Sequence, residues 1–486
     1  VSDFTFIHIH QHAYFPCIRY YRGRALMCYC VHRVRRIVIP WDHCPCFYSS
    51  FGYDMNWAQS INILIRDHVR MVQWFMLCRH AGVLLASVII ARVLPLEDVG
   101  QFEMLMLCGY LVTFFWSEAW LKGYLTRYDQ ADQTGQAGSF VWLYALTGLL
   151  VMGIFLLANS WLLPLIVNRS TLDGLFWFAA FQVCILPVWI APFTGVLKGP
   201  QVWWMGWYVL IIPALAAWAG WMCLGHLHGV LVGLMVYGAL GLLWVLGKSV
   251  PTHGLKIKDN ILVLWPVTWP LILYALSTSL ARSFDGWLVA RYFDITDFAV
   301  FRYGAREFPV VTAFAAGLST MMIPLLKNNE AISELRIRSR RLMHICYPLV
   351  AIMMLVSPYL FVMVFGQAYK TSAYIFNIYL LLTLTQLIFP QSIYTARRET
   401  QRLWYISLAE LGVNVVASLA LLSFFGLAGI AWGTLVAFLF EKVVLLTGVR
   451  YQYGIRPNQI FSLGTWAGYA ALLIFCFILS AWMSGM

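Results

Sequence analysis

Long apolar runs, separated by short breaks that hold Gly, Pro or charged residues, dominate the chain from residue 74 to residue 484. Read against their breakers, they predict spans at 74–94, 100–125, 139–157, 172–197, 203–224, 227–247, 262–293, 298–326, 342–365, 372–396, 404–424, 427–449 and 462–484. A helix needs about 20 mostly apolar residues to cross the hydrocarbon, so the pattern predicts an all-α integral membrane protein with short loops. Residues 262–293 are long enough to tilt or break, with Pro266 and Pro270 near their start. Further prolines sit in or at the edge of spans (187, 192, 309, 324, 348, 358 and 390) and either permit bending or reflect the commonness of Pro in membrane helices.

Composition agrees with the pattern. The chain is 61% hydrophobic and 11% charged, against roughly 45–50% apolar and about 25% charged in a soluble domain. Its 33 Lys and Arg exceed its 21 Asp and Glu, which in a soluble protein would raise the question of nucleic acid. Location decides otherwise. With the N-terminus cytoplasmic, seventeen basic residues from Arg66 to Arg456 fall in cytoplasmic segments; Arg169 and Lys370 fall in the opposite loops, with Arg92 and Arg291 at helix ends on that side. That asymmetry is the one the positive-inside rule demands. No cleavable signal peptide is expected, because the first long apolar run begins near Trp74.

Residues 1–54 stand apart, carrying five of the eleven Cys (17, 28, 30, 44, 46) and five of the eleven His (8, 10, 12, 32, 43) without a helical or strand period. Clustered Cys and His raise zinc, but the Cys-x-Cys pairs lack the usual two-residue spacing, so no metal site is expected. Met55 is the first plausible start, and residues 1–54 are expected to be a non-native or disordered extension.

The chain also matches itself. IARVLPLEDVGQF at 90–102 aligns with VARYFDITDFAVF at 289–301, so Ala91, Arg92, Asp98 and Phe102 recur 199 positions later as Ala290, Arg291, Asp297 and Phe301. GVLVGLM at 229–235 aligns with GIAWGTL at 429–435 at nearly the same offset. Six spans separate the copies, so both enter the membrane from one side, as in carriers built from two bundles related by an axis along the membrane normal. The expected organisation is an N-terminal six-helix bundle at 55–250, a parallel C-terminal one at 251–450, and an additional helix within 451–486.

These segments carry a family resemblance. The junction IIARVLPLEDVGQFEML, its counterpart FDGWLVARYFDITDFAVFRYG, the Pro-ended helix STMMIPLLK, the glycine pair of GIAWGTL and the basic corner TARRETQRLW at 395–404 resemble the multidrug/oligosaccharidyl-lipid/polysaccharide (MOP) transporter superfamily. Within it they resemble the polysaccharide-export branch that includes Wzx-type O-antigen flippases. The resemblance implies a V-shaped two-bundle carrier that moves undecaprenyl-pyrophosphate-linked oligosaccharide from the cytoplasmic to the periplasmic leaflet of the bacterial inner membrane, in company with other polysaccharide-assembly proteins. The thirteenth span departs from the family pattern.

Ionisable groups inside spans are costly and mark candidate functional sites. They gather in helices one, two, seven and eight: Arg79 with His80; Glu103, Glu118 and Lys122; Arg282 and Asp285; Arg302, Arg306 and Glu307. The resemblance implies that these helices line the cleft. Guanidinium groups bind phosphate oxygens through a charged fork, so Arg79, Arg282, Arg302 and Arg306 are the candidates for a pyrophosphate. Arg302 and Arg306 are four apart, on one face of a continuous helix. Glu118, Asp285 and Glu307 are the candidates for ion coupling. Each has a bland alternative, an ion pair that fixes packing or a helix-end charge that snorkels; Lys122 in particular is the natural partner of Glu118, and Arg92 and Arg291 sit where snorkelling is cheap.

Three functions compete. A flippase for a lipid-linked oligosaccharide fits the cationic bundle. A drug or cation exporter of the same fold would place acids in the cleft, where the first helix offers Arg79 and His80. A membrane polymerase or glycosyltransferase needs a soluble domain or a long catalytic loop, whereas the longest internal loop is the basic segment 327–341. No Walker A sequence, dinucleotide fingerprint or HExxH occurs. The expectation is therefore a transporter without enzymatic activity or cofactor, driven by an ion gradient or the membrane potential, with no nucleic-acid partner.

Overall fold

The computed structural model describes residues 68–125, 135–249 (except 168 and 170), 257–326 (except 323 and 324) and 331–484 (except 398), together with four strands near the N-terminus. Two compact units result, residues 1–70 and 71–486. In the first, β1 (Phe4–His8), β2 (Tyr14–Arg22), β3 (Ala25–His32) and β4 (Arg35–Ile39) form an antiparallel meander, where the sequence shows no strand period. The strands are rich in aromatic and β-branched residues, which favour extended backbone without strict alternation. Cys17 is the register partner of Cys30. The side chains proposed as an alternative zinc site lie outside the described residues.

The second unit is helical because a backbone without water must satisfy its own hydrogen bonds. Its first half holds α1 (His68–Val93), α2 (Leu96–Leu125), α3 (Gly135–Leu157), the short α4 (Asn159–Val167), α5 (Leu175–Thr194), α6 (Gly199–Leu224) and α7 (Leu227–Lys248). Its second half holds α8 (Ile257–Tyr292), α9 (Ile295–Gly304), α10 (Pro309–Met322), α11 (Ala331–Phe365), α12 (Lys370–Leu381), α13 (Thr383–Gln386), α14 (Pro390–Ala396), α15 (Thr400–Phe425) and α16 (Leu427–Tyr453). The one-turn α17 (Pro457–Ile460) leads into α18 (Leu463–Ser484). Among the described residues ten helices are long and apolar enough to cross a membrane, or eleven if the bent pair Gln367–Gln386 and Pro390–Ala396 is one span. The chain is a multi-pass helical membrane protein.

Two expected spans are interrupted, and for local reasons. The span expected at 298–326 divides into α9 and α10, because Pro309 disfavours helical backbone at Phe308 and cannot donate a helical hydrogen bond. The span expected at 372–396 bends by 48° ahead of Pro390, the first residue of α14. By contrast α8 runs unbroken through Pro266 and Pro270 for 36 residues, about 54 Å at 1.5 Å per residue, so it outruns the roughly 30 Å hydrocarbon.

Glycine sets the tightest packing. An added Cβ at Gly229 would strike Gly220 O, and one at Gly233 would strike Ala216 O, so α7 lies backbone to backbone on α6. In the second half Gly429 presses on Leu421 O and Gly433 on Ser418, bringing α16 onto α15. Small residues allow this approach where lipid supplies no hydrophobic drive between helices. The outer faces of α6 and α15 expose Trp204, Trp218, Val416 and Phe424, as lipid-facing surfaces do.

Candidate functional site

The two halves meet where α2 packs along α8 and α9. Glu103, on the second turn of α2, is buried there, and both of its carboxylate oxygens are engaged. Arg306 Nη2 donates to Oε1 at 3.3 Å, and Arg302 Nε stands 3.5 Å from Oε2 as an ion pair without hydrogen-bond geometry. The same Arg306 group lies 3.4 Å from Ser87 Oγ, and its guanidinium stacks 4.4 Å from the centre of the Tyr303 ring. The Tyr303 hydroxyl in turn donates to Ser87 O at 2.9 Å. The two arginines do not share a helical face as expected: α9 ends at Gly304, and Arg306 lies in the break before Pro309. They converge through Glu103 instead, which compensates one of two positive charges.

In the second half Asp285 is an acceptor for three neutral donors. Tyr379 Oη and Thr434 Oγ1 donate to its Oδ2 at 2.8 and 2.6 Å, and Asn414 Nδ2 donates to Oδ1 at 3.1 Å. Ser418 Oγ holds the Asn414 amide by donating to Asn414 Oδ1 at 2.8 Å, so α8, α12, α15 and α16 all contribute. The donors make Asp285 the wall of a cavity of about 700 Å³. That cavity is also lined by Glu307, Glu410 and Glu441, against Arg302 and Lys442. Lys442 Nζ is 3.1 Å from both Glu441 Oε2 and Gln391 Oε1, and Gln386 Nε2 donates to Glu307 Oε2 at 3.3 Å. Acids therefore outnumber bases in the cavity.

Arg79 belongs to a different setting. It lies on α1 with its guanidinium 5.3 Å from the centre of the Trp189 ring of α5, within electrostatic reach of the Tyr144 and Tyr237 hydroxyls. Among the described residues no carboxylate lies within ion-pair distance of it. Its neighbour His80 is exposed, with Nδ1 donating to Met76 O at 2.7 Å.

The remaining candidates scatter. Glu118 pairs with Lys122 at 2.5 Å, one turn along α2. The side chain of Arg282, three residues before Asp285 on α8, lies outside the described residues. The His226 and His228 rings are 5.3 Å apart; among the described residues no group of three potential metal ligands forms. Reading the sequence for charges missed Trp189, Tyr379, Asn414 and Thr434, since neutral polar and aromatic side chains carry no intramembrane penalty large enough to flag them.

No protein-family model matches the sequence, and no curated protein matches it. Solved structures do. The structure described as "Lipid II flippase MurJ, inward closed conformation" superposes with a TM-score of 0.59 at 14% identity, over 85% of this chain and 92% of that one. The chain shares the fold of that structure. An inward-facing multidrug resistance MATE family transporter of the MOP superfamily matches with a TM-score of 0.54 at 13% identity, over 77% of this chain and 94% of that one. A point mutant of the Vibrio cholerae MATE transporter VcmN reaches 0.49 at 14% identity, over 81% of this chain and 98% of that one. Both a flippase and a drug transporter are thus among the neighbours of this fold.

Proposed function

We propose that this chain is a flippase that moves a lipid-linked oligosaccharide of the undecaprenyl-pyrophosphate type across the bacterial cytoplasmic membrane, for polysaccharide or O-antigen biosynthesis, by alternating access of two six-helix bundles. The observation that carries the reading is Arg79, a permanently charged guanidinium inside the first half with no acid among the described residues to neutralise it. An uncompensated cation in low dielectric is costly, and a passing pyrophosphate would relieve it through charge-assisted hydrogen bonds. Arg302 and Arg306 share the single carboxylate of Glu103 and so keep a surplus positive charge beside the path. Arg282 is assigned to the same cationic track by its place on α8.

Ion coupling is assigned to the second half. Among the described residues Asp285 accepts hydrogen bonds only from neutral groups, the Thr434 hydroxyl and the Asn414 amide N–H included, so its charge is left for a proton or a small monovalent cation to neutralise. Glu307, on the same cavity, is the second coupling group. Glu118 is the weakest of the three proposed acids, since Lys122 already neutralises it.

The test is a leaflet assay. Depletion should leave the lipid-linked glycan in the cytoplasmic leaflet, and Arg79→Ala or Arg306→Ala should fail to restore export while still inserting. Accumulation in the outer leaflet would sink the flippase and point to a polymerase. The acid-rich cavity favours one second reading, an exporter of organic cations. It predicts that depletion sensitises cells to cationic drugs and leaves glycan export unchanged.

A further inference from the structure

Arg92 lies in the last turn of α1 and Arg291 in the last turn of α8, 199 positions later. Lone cations at helix ends are expected to snorkel into the headgroups. Each of these instead reaches the last turn of a helix in the other half of the chain. Arg92 Nε donates to Val364 O at 2.7 Å and its Nη2 donates to Met363 O, at the end of α11. Arg291 Nη1 approaches Pro164 O at 3.4 Å, near the end of α4, and Trp287, one turn earlier, donates its indole N–H to Leu165 O at 3.3 Å.

The acceptors repeat with the same offset as the donors, because Met363 stands 199 positions after Pro164. The chemistry of the acceptors explains the choice of arginine. The last four carbonyls of a helix have no intrahelical partner and carry the negative end of its dipole. Gly366 N–H caps Val362 O, which leaves Met363 and Val364 for a side chain. A guanidinium presents a rigid fork of donors that meets two adjacent carbonyls at once.

We infer that Arg92 and Arg291 form a reciprocal clasp that holds the two halves together at one face of the bundle and must release for that face to open. The inference rests on the two-bundle carrier reading. The clasp lies opposite the basic helix ends, hence outside by the positive-inside rule. Each arginine comes from one half and its acceptors from the other, so a single rocking motion breaks both contacts. Both arginines are exposed, so water replaces the carbonyls when the halves part and no buried charge is stranded.

Ser87 reports the state of this face. It is buried on α1 beneath Tyr303 and Arg306 of the opposite half. The full-length protein carrying Ser87→Cys is reconstituted in vesicles and treated from the clasp side with a membrane-impermeant maleimide, with labelling at position 87 read by peptide mass spectrometry. Labelling should be slow in that background and about tenfold faster with Arg92→Gln and Arg291→Gln combined, the population shift expected from losing a charge-assisted hydrogen bond. Arg169→Gln, a charge change on the same side, should leave it slow. Should the double variant fail to insert, the single variants carry the test, and each should label faster than the background. Unchanged labelling in the clasp variants, or equal acceleration by Arg169→Gln, overturns the clasp. No cargo takes part in this measurement, so its failure is distinct from failure of the leaflet assay.

Discussion

Glu103 and Arg306 are 203 positions apart in the chain and 3.3 Å apart in space. The contact joins α2 of the first half to the broken segment between α9 and α10 of the second, and Arg302 completes it from the other carboxylate oxygen. A buried acid that serves two arginines fixes the positions of both.

Removing that acid therefore strands charge. Glu103→Gln should destabilise the protein by about 1–3 kcal/mol, the cost of leaving buried polar groups unpaired, read as a lower unfolding temperature in detergent. Adding Arg306→Gln should recover part of the loss, because the stranded cation goes too. Equal or greater loss in the double variant would show that packing, not charge, holds this contact.

Asp285 should behave as a functional acid and not a structural one. Its ligands are neutral, so Asp285→Asn keeps shape and hydrogen bonding while removing the charge. Transport should fall by about tenfold or more, as expected for an intramembrane ionisable group in an ion pathway, with unfolding temperature little changed. Thr434→Val, which deletes one oxygen beside it, should give a smaller loss in the same assay. Wild-type transport by Asp285→Asn would remove it from the coupling role.

Charge alone should not replace Arg79. Lysine keeps the charge but cannot stack flat on Trp189 or offer a planar fork, so Arg79→Lys should retain only a small fraction of transport. Trp189→Phe keeps an aromatic face with a weaker cation interaction and should cost less. The comparison is made on initial export rates at matched membrane levels of protein.

The matched glycines should be matched in their sensitivity. Gly229→Ala and Gly429→Ala each place a Cβ against backbone of the preceding helix, an overpacking expected to cost about 1–3 kcal/mol. Gly247 and Gly412 have open space around them, so alanine there should be neutral. Unfolding temperatures of the four variants settle it.

How much of this was legible beforehand differs by level. Every expected span falls on one helix or on a broken run of two or three, because lipid obliges the backbone to bond within itself and the length of an apolar run then sets the length of the element. The glycine pairs were legible as positions of close contact because close helix approach demands a residue type, not a partner. The breaks ahead of Pro309 and Pro390 could have been drawn from proline geometry, yet Pro187, Pro192, Pro348 and Pro358 stay inside continuous helices, so proline alone does not say which helix yields.

Partnership was beyond the sequence. Arg302 and Arg306 read as two cations on one face, and only packing of α2 against α9 delivers Glu103 to both. Asp285 read as a lone acid, and only the meeting of α8, α12, α15 and α16 surrounds it with Tyr379, Asn414 and Thr434. The chain by itself determined which segments are apolar and helical and where charge falls within them, since both follow from local transfer free energy, although ten or eleven of the thirteen expected spans are long and apolar enough to cross among the described residues. Which charges are neutralised, and which such as Arg79 have no carboxylate within ion-pair distance among the described residues, depends on the mutual registration of helices far apart in the chain, and that is a property of tertiary packing alone.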